Sequence, residues 1–336
     1  MAIRVLSTLA RRIVWTGAML ASLTSMAAAQ TPFKIGISAP VVNILPVWMG
    51  EAGGFYGKEG LQVEVINMEG GTRGLQVLLS GEIQAMHVGL APVVLANKQG
   101  ADFRLITSSV NTIPITMFAK PGITMKDLKG KNIGISTFGS ETDIAVSILL
   151  KQQNLTRQDV TVTQIGGSSQ RFAALVAGRI DVAPLIEPAI SQAVERGLSP
   201  LIDLAAAKTP WIFDSVVVSN GYLQKNRDTL TRFVRAYVAG AYLALSTPEK
   251  AKEVIAQRFR TKDQKVIDAT YNDFRRAMPR DAAPTVAGAQ NVLDQLVGLG
   301  TDIGSRNPND YLDLSIIESL KKAGYFDQIA KTYPIK

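Results

Sequence analysis

The order of apolar and polar residues along the chain indicates strands that alternate with helices. Residues 33–38 are apolar on both sides of a single lysine, which is typical of a buried strand in a parallel sheet. A helix-like stretch at 45–55, a second strand at 62–67, a further helix and a third strand at 83–89 follow in order. This alternation predicts an α/β fold with parallel sheets.

The same order of elements begins again 98 residues later. The tetrapeptide Ile-Gly-Ile-Ser occurs at 35–38 and again at 133–136. A Gly-Gly-Thr helix opening at 70–72 has a Gly-Gly-Ser counterpart at 166–168, and a Gly-x-Ile turn recurs at a similar distance. Three landmarks in one order at a nearly constant offset predict two α/β lobes built on one plan.

We expect the second lobe to be inserted into the first. Two short apolar segments, 115–120 and 214–219, can carry the chain from one lobe to the other and back. On this interpretation residues 30–118 and 218–336 form the first lobe, and residues 119–217 form the second. The remaining C-terminal sequence has apolar positions three or four residues apart, which predicts helices that wrap the first lobe.

The first 29 residues have the features of a secretory signal peptide. Three arginines precede an apolar run at 13–23, and small residues ending at Ala29 provide a cleavage site. The run is shorter than the ~20 residues that a membrane-spanning helix needs, which argues against an anchor. We therefore expect a mature chain that begins at Gln30, carries no membrane anchor and lies in the periplasm.

Composition narrows the chemistry that this chain can perform. There is no cysteine, which excludes disulfides, thiolate metal sites and a cysteine nucleophile, and there is a single histidine. The net charge of +8 falls to +5 without the first 29 residues, because three arginines and no acids are lost. Basic residues are dispersed, so nucleic acid is not an expected partner, and the sequence contains no cofactor or metal motif.

Several motifs resemble those of one protein family. The segments Pro-Val-Trp at 46–48, Gly-Phe-Tyr at 54–56 and Glu-Gly-Leu-Gln-Val-Glu at 59–64 resemble the opening of periplasmic substrate-binding proteins of the NMT1-like family. Motifs at 89–92 and 178–181 follow in the order of that family. Its members serve ATP-driven importers of nitrate, taurine, alkanesulfonates and thiamine-type pyrimidines.

The resemblance implies a type II periplasmic-binding-protein clamshell, with two α/β lobes, two hinge crossings and a ligand in the cleft between the lobes. It covers residues 33–221 or so. It further implies that the chain is the solute-binding component of an ABC importer and not an enzyme. We expect the protein to be a monomer. Such a protein closes on its ligand and delivers it to the permease, and through the permease acts with the ATPase.

The predicted site follows from the sheet. Ligands of open parallel sheets bind beyond the carboxyl ends of strands, where helix N-termini favour anions. We predict a small organic anion, a carboxylate or a sulfonate, with its anionic end toward the first lobe. The ligand-binding residues predicted from the equivalent loops of both lobes and from the second crossing are Ser38, Asn43, Thr72, Arg73, Leu90, Ala91, Ser136, Thr137, Ser140, Glu141, Ser168, Glu187, Trp211 and Asp214.

Several of these residues also have a structural interpretation. Arg73 is the cation expected to hold the anion, and a solvated arginine on a first helical turn is the alternative. Thr72 and Ser168 follow paired glycines and are interpretable as helix N-caps. Ser140 and Asp143 have the spacing of a capping box.

A second ligand class stays open. Glu141 at a helix start opposes a bare anion, and together with Glu187 it suits an uncharged heteroaromatic such as a thiamine pyrimidine, whose amino groups would donate to both carboxylates. Glu187 as a dipole-compensating residue and Trp211 as a core residue are the structural alternatives, and His87 is interpreted as a packed strand residue. A periplasmic sensor module that reports its ligand to a membrane receptor is a further alternative, since it would need the same cleft. Pyrimidine-synthase-like enzymes rely on histidine and cysteine chemistry, which this composition disfavours.

The signal-peptide prediction has a direct test. When the full-length chain is expressed in a Gram-negative host, the protein recovered from the periplasm should begin at Gln30. N-terminal sequencing or intact-mass measurement gives the result. A periplasmic product that still carries Met1 would contradict the prediction.

Overall fold

Two mixed β-sheets organise residues 30–335, the part of the chain that the computed structural model describes. The predicted signal peptide lies outside these residues. In the first sheet the strand order is β2-β1-β3-β11-β4, with β5 paired to β11; its strands are β1 Thr31–Ile37, β2 Leu61–Asn67, β3 Ala85–Val88, β4 Phe103–Leu105, β5 Val110–Thr112 and β11 Pro210–Ser219. In the second sheet the order is β10-β6-β9-β7-β8; its strands are β6 Thr116–Ala119, β7 Asn132–Ile135, β8 Thr161–Gln164, β9 Val182–Leu185 and β10 Pro200–Asp203.

Helices follow most strands and cover both sheets. In chain order they are α1 Leu45–Ala52, α2 Phe55–Lys58, α3 Gly71–Ser80, α4 Leu90–Lys98, α5 Glu141–Gln152, α6 Ser168–Val176, α7 Ala189–Glu195, α8 Asn220–Lys225, α9 Arg227–Ser246, α10 Pro248–Phe259, α11 Gln264–Ala277, α12 Val286–Gly298, α13 Ser315–Lys322 and α14 Tyr325–Thr332. Short 3-10 turns lie at Val42–Ile44, Met125–Asp127, Arg157–Asp159, Ala205–Ala207 and Pro308–Asp310. Among residues 30–335, no helix has the length and apolar character needed to cross a bilayer.

The first three residues of each repeated tetrapeptide lie in an interior strand, β1 in the first sheet and β7 in the second. In the first sheet Ile35 lies opposite Val65 and Ala85 in parallel register. At the equivalent place in the second sheet Ile133 lies opposite Val162 and Val182, again in parallel register. Both isoleucines are fully buried. The prediction of a two-lobed α/β fold is therefore confirmed.

Each sheet also contains an antiparallel strand, which the sequence analysis did not anticipate. Strand β11 runs antiparallel to β3 in the first sheet, and β6 runs antiparallel to β9 in the second. By this pairing the chain passes between the sheets at 113–115 and at 204–209, just before β6 and β11. Each of these strands enters its sheet from the other lobe rather than through a covering helix, so a parallel orientation is not imposed on it.

The C-terminal helices bury one face of the first lobe. Helix α9 is buried along most of its length, and the ring of Phe233 stacks on Phe33 of β1 with 4.5 Å between centroids. The ring of Tyr56 also stacks on Phe233, with 5.6 Å between centroids. These ring contacts pack α9, one of the predicted C-terminal helices, against the first sheet.

Gly240 of α9 marks the closest approach of α9 to α1. A Cβ atom at Gly240 would lie 2.3 Å from the carbonyl oxygen of Pro46 and 2.6 Å from the backbone nitrogen of Gly50. We therefore expect Gly240→Ala to lower the free energy of unfolding by about 1–3 kcal/mol, because backbone atoms must move apart. Urea unfolding followed by circular dichroism measures the change.

Gly221 in α8 is the matched control. A Cβ atom there meets nothing within 4 Å. Gly221→Ala should leave stability unchanged or raise it by about 0.5–1 kcal/mol, because alanine loses less backbone entropy in a helix. Equal destabilisation by both substitutions would mean that the approach of α9 to α1 is not the cause.

Candidate ligand-binding cleft

A cavity lies between the loops that follow β1 of the first sheet and β7 of the second. Its volume is about 60 Å³, enough for roughly four to six water molecules. Ser38 follows β1 and Ser136 follows β7, so the repeat brings equivalent residues to opposite walls. The complete lining consists of Ser38, Ala39, Val41, Ile44, Gly71, His87, Val88, Gly89, Ser136, Ser140, Glu141, Thr142, Ser168, Arg171, Ile186, Phe213 and Asp214.

Asp214 of β11 provides an acidic group on the first-lobe wall. Its Oδ2 accepts a hydrogen bond from Nδ2 of Asn43 at 2.8 Å, and its Oδ1 lies 3.3 Å from Nδ1 of His87. His87 is fully buried in β3, and its Nε2 lies 3.4 Å from Oγ of Ser109. These neighbours hold the carboxylate in a fixed orientation toward the cavity.

Glu141, the first residue of α5, joins the two lobes. Its Oε1 accepts a hydrogen bond from the backbone N–H of Ala91 at 2.8 Å, and its Oε2 accepts one from the indole N–H of Trp211 at 2.7 Å. Ala91 lies at the N-terminus of α4 and Trp211 in β11, which pairs within the first sheet, so we assign both donors to the first lobe, whereas the predicted bounds placed Trp211 and Asp214 in the second. Burial raises the pKa of Glu141 to about 8, although the two hydrogen bonds act in the opposite direction.

Gly89 allows this contact. A Cβ atom at Gly89 would lie 2.2 Å from Oε1 of Glu141 and 2.4 Å from the carbonyl oxygen of Phe213. No side chain fits in that space. The Gly-Leu-Ala-Pro motif at 89–92 therefore admits the carboxyl group of the opposite lobe to the start of α4.

Arg171 of α6 provides a buried cation on the second-lobe wall. Only 2% of the residue is exposed. Its Nε donates to the carbonyl oxygen of Pro184 at 2.8 Å, and its Nη1 donates to that of Gly166. Within residues 30–335 no carboxylate pairs with it, and burial lowers the pKa of Arg171 to about 9, which leaves the guanidinium charged at neutral pH.

Hydroxyl groups fill the space between these charges. Ser140 is the N-cap of α5, as its sequence context predicted, and its Oγ lies within 3.0 Å of the hydroxyls of Ser136 and Thr142. Ser168 is not an N-cap; its hydroxyl donates to the carbonyl oxygen of Ile186 at 3.1 Å. The N-cap interpretation is also wrong for Thr72, because the helix begins at a glycine before it.

Thr72 instead makes a contact between the lobes. Its hydroxyl donates to the carbonyl oxygen of Phe138, in the loop after β7, at 3.0 Å. In the same region a Cβ atom at Gly70 would lie 2.5 Å from the methyl group of Thr137. The loops of the two lobes are therefore in direct contact beside the cavity.

The cavity includes some of the predicted ligand-binding residues and leaves others out. Those that line it are Ser38, Ser136, Ser140, Glu141, Ser168 and Asp214. Asn43, Ala91 and Trp211 lie behind them, as hydrogen-bond donors to Asp214 or Glu141, and Leu90 is buried at the start of α4. Thr72 and Thr137 are in the interlobe contact beside the cavity.

Arg73 and Glu187 do not line the cavity. The side chain of Arg73 is 67% exposed and lies 4.0 Å from the carboxylate of Glu69, as expected of a solvated arginine. Glu187 accepts hydrogen bonds from the N–H and the hydroxyl of Ser191, and burial raises the pKa of Glu187 to about 7. Neither side chain reaches the position that the anion and heteroaromatic hypotheses require.

Sequence reasoning missed Arg171, although a signal was present. Ser168, Arg171 and Leu175 are spaced three and four residues apart on the buried face of α6. A charged residue within an otherwise buried helical stripe indicates a buried charge. His87 was interpreted as a packed strand residue; it is packed, and it also lines the cavity. Among residues 30–335, no group of three or more metal-ligating side chains is placed to hold a metal ion.

The comparison with known families identifies the chain. Residues 41–251, more than half of the sequence, match the family described as NMT1/THI5 like. The chain belongs to the NMT1/THI5-like family. The riboflavin-binding protein RibY of Chloroflexus aurantiacus is similar in sequence. The two chains are 28% identical over 227 residues, which cover 65% of this chain and 63% of RibY. The match therefore spans less than two thirds of the length of RibY.

Solved structures share the fold of this NMT1/THI5-like chain. The alkanesulfonate-binding protein SsuA from Xanthomonas axonopodis pv. citri, bound to MOPS, has a TM-score of 0.69 at 17% identity, over 86% of this chain and 100% of SsuA. The desulfurization enzyme DSZB has a TM-score of 0.65 at 14% identity, over 88% of this chain and 99% of DSZB. The clamshell fold is confirmed, and the fold alone does not separate a binding protein from an enzyme.

The raised pKa of Glu141 predicts a specific pH dependence. The folded protein keeps the proton to about pH 8, whereas the unfolded chain loses it near the ordinary value of 4.5. The folded state therefore binds more protons between these values, and stability falls as pH rises, by up to about 1.4 kcal/mol per pH unit from this group. Above about pH 8 the contribution levels off.

Glu141→Gln removes this titration. The free energy of unfolding, measured from pH 5 to pH 8, should fall less steeply in the variant than in the wild type. The variant keeps the weaker contribution of Glu187, whose pKa is raised to about 7. Parallel curves for the two proteins would contradict the assignment.

Proposed function

We propose that this chain is the periplasmic solute-binding component of an ABC importer and that it captures a small organic acid, a carboxylate or a sulfonate, by closure of its two lobes. The observation that carries this proposal is Arg171. It is a buried guanidinium that lines the cavity and has no carboxylate partner among residues 30–335. An acidic solute would supply the missing negative charge.

The chemistry of the cavity supports an acid. Two N–H groups of Arg171 already bond to backbone carbonyls, which fixes the plane of the guanidinium. The N–H groups that remain suit the planar carboxylate or the tetrahedral sulfonate, because charge-assisted hydrogen bonds to a guanidinium are among the strongest in proteins. The hydroxyls of Ser136, Ser140 and Ser168 line the same cavity and are available as further polar neighbours.

Closure is the proposed mechanism of capture. The chain crosses between the sheets at 113–115 and 204–209, and these two crossings form the hinge. A solute stabilises the closed state to the extent that it contacts both walls, with Arg171 on one and Asp214 on the other. The closed monomer then delivers the solute to the permease. Through the permease it acts with the ATPase that drives import.

A heteroaromatic solute is the second candidate. Phe213 lines the cavity and offers a ring surface, and the relative RibY is named as a riboflavin-binding protein. However, both oxygens of Glu141 already accept hydrogen bonds, and Glu187 does not line the cavity. The acceptors that an aminopyrimidine would need are therefore engaged elsewhere, which favours the acid.

The residues of the cavity favour binding over catalysis. The Asp214–His87–Ser109 arrangement has the order of a nucleophilic triad, but Ser109 is buried outside the cavity lining. A solute in the cavity would not reach its hydroxyl. The sequence contains no cysteine to serve as an alternative nucleophile.

A ligand screen with two arginine variants tests the proposal. Thermal shift across carboxylates, sulfonates, nitrate, pyrimidines and flavins identifies the solute class, because a ligand raises the melting temperature by mass action. For the best organic acid, Arg171→Met should raise Kd by roughly 30-fold or more, since a lost buried charge pair costs about 2 kcal/mol or more. Isothermal titration calorimetry measures Kd.

Arg73→Ala is the matched control, because Arg73 is exposed and lies outside the cavity. It should leave Kd within about twofold of the wild type, since surface ion pairs contribute little. Binding of a pyrimidine or flavin but of no acid would favour the second candidate. An organic acid whose affinity depends on Arg73 and not on Arg171 would overturn the assigned anchor.

A further inference from the structure

We propose that Glu141 permanently occupies an anion-binding position of the first lobe and thereby excludes the acidic group of a solute from that lobe. This makes Glu141 a specificity-determining residue. The consequence for solute orientation rests on the proposed function, whereas the occupancy of the position does not.

The position has the features of an oxyanion site. Helix α4 is nine residues long, and the backbone N–H of Ala91 in its first turn donates to Oε1 of Glu141. Free N–H groups and the positive end of the helix dipole at such a terminus favour negatively charged oxygens. The indole N–H of Trp211 supplies a second donor from another element, and Gly89 leaves the space open.

Glu141 meets these donors as a bound carboxylate ligand would. Each of its two oxygens accepts one hydrogen bond, at 2.8 and 2.7 Å. The side chain belongs to the other lobe, and its residue is 8% exposed. The protein therefore supplies from α5 the acidic group that a solute would otherwise bring to the start of α4.

This occupancy sets the direction in which an acid binds. The acidic group of the first-lobe wall beside Glu141 is Asp214, with His87 next to it, and the fixed cation of the cavity lining is Arg171 on the opposite wall. Asp214 and a filled helix terminus on this side oppose a solute carboxylate there. The acidic end of the solute is directed toward the second lobe, the reverse of the orientation expected from the sequence.

Removal of the side chain should expose the two donors. In Glu141→Ala the N–H of Ala91 and the indole N–H of Trp211 face an emptied space large enough for a small carboxylate. Acetate added in solution should bind there. In Glu141→Gln the side chain keeps its length, so the space stays filled and acetate should not bind.

Trp211 reports the binding directly. With Trp48 changed to Phe, Trp211 is the only tryptophan in residues 30–335, and its indole N–H is the group that acetate would contact. We expect a saturable change in tryptophan fluorescence on titration of the Glu141→Ala protein with acetate at constant pH and ionic strength. We expect none in the Trp48→Phe parent or in its Glu141→Gln derivative. Glu141→Ser serves in place of Glu141→Ala if the alanine protein does not fold.

Two results would overturn the inference. One is a folded Glu141→Ala or Glu141→Ser protein, verified by circular dichroism, that shows no saturable response to acetate. The other is an equal response in the parent. The titration needs no natural solute, so its failure is distinguishable from a failure of the ligand screen, which would count against the proposed function alone.

Discussion

The carboxyl group of Glu141 accepts two hydrogen bonds across the cleft, and this bridge determines how the two lobes meet. Removing such a group from water is costly, and the donors from Ala91 and Trp211 offset that cost. The arrangement depends on Gly89, since any side chain there would collide with the carboxyl oxygen. The composition of the cavity, the contact of the loops and the position left for a solute all follow from this bridge.

The two lobes share a plan but differ in the chemistry at their strand ends. Ile35 and Ile133 occupy the same place in their sheets, and the serines that follow them face the same cavity. Beyond that point the first lobe presents Asp214 and the second presents Arg171. Under the proposed function, the common plan places the solute at the ends of equivalent strands, and the unlike charges on the two walls orient it.

The elements that the sequence predicted well are those whose signal is local. The helical character of the C-terminal part, which includes α9, was predicted because apolar spacing within one helix reports burial without knowledge of partners. The antiparallel strands were not foreseen, since an apolar run is the same in either sheet and either direction. Arg73 and Arg171 are the same residue type; the buried helical stripe around Arg171 was the local signal that separates them, and the structure shows that Arg73 is solvated and Arg171 is enclosed.

The interlobe hydrogen bond from Thr72 to Phe138 has a further consequence for the proposed transport function. It joins the lobes through protein atoms alone, as the Glu141 bridge does. Every such contact lowers the free energy that a solute must provide for closure, so the apparent affinity rises with the fraction of empty protein already closed. The same contacts reduce the difference in shape between empty and loaded protein. Under the proposed function, a permease would then have to distinguish the two by its affinity for the closed form, and empty protein would compete with loaded protein for its docking surface.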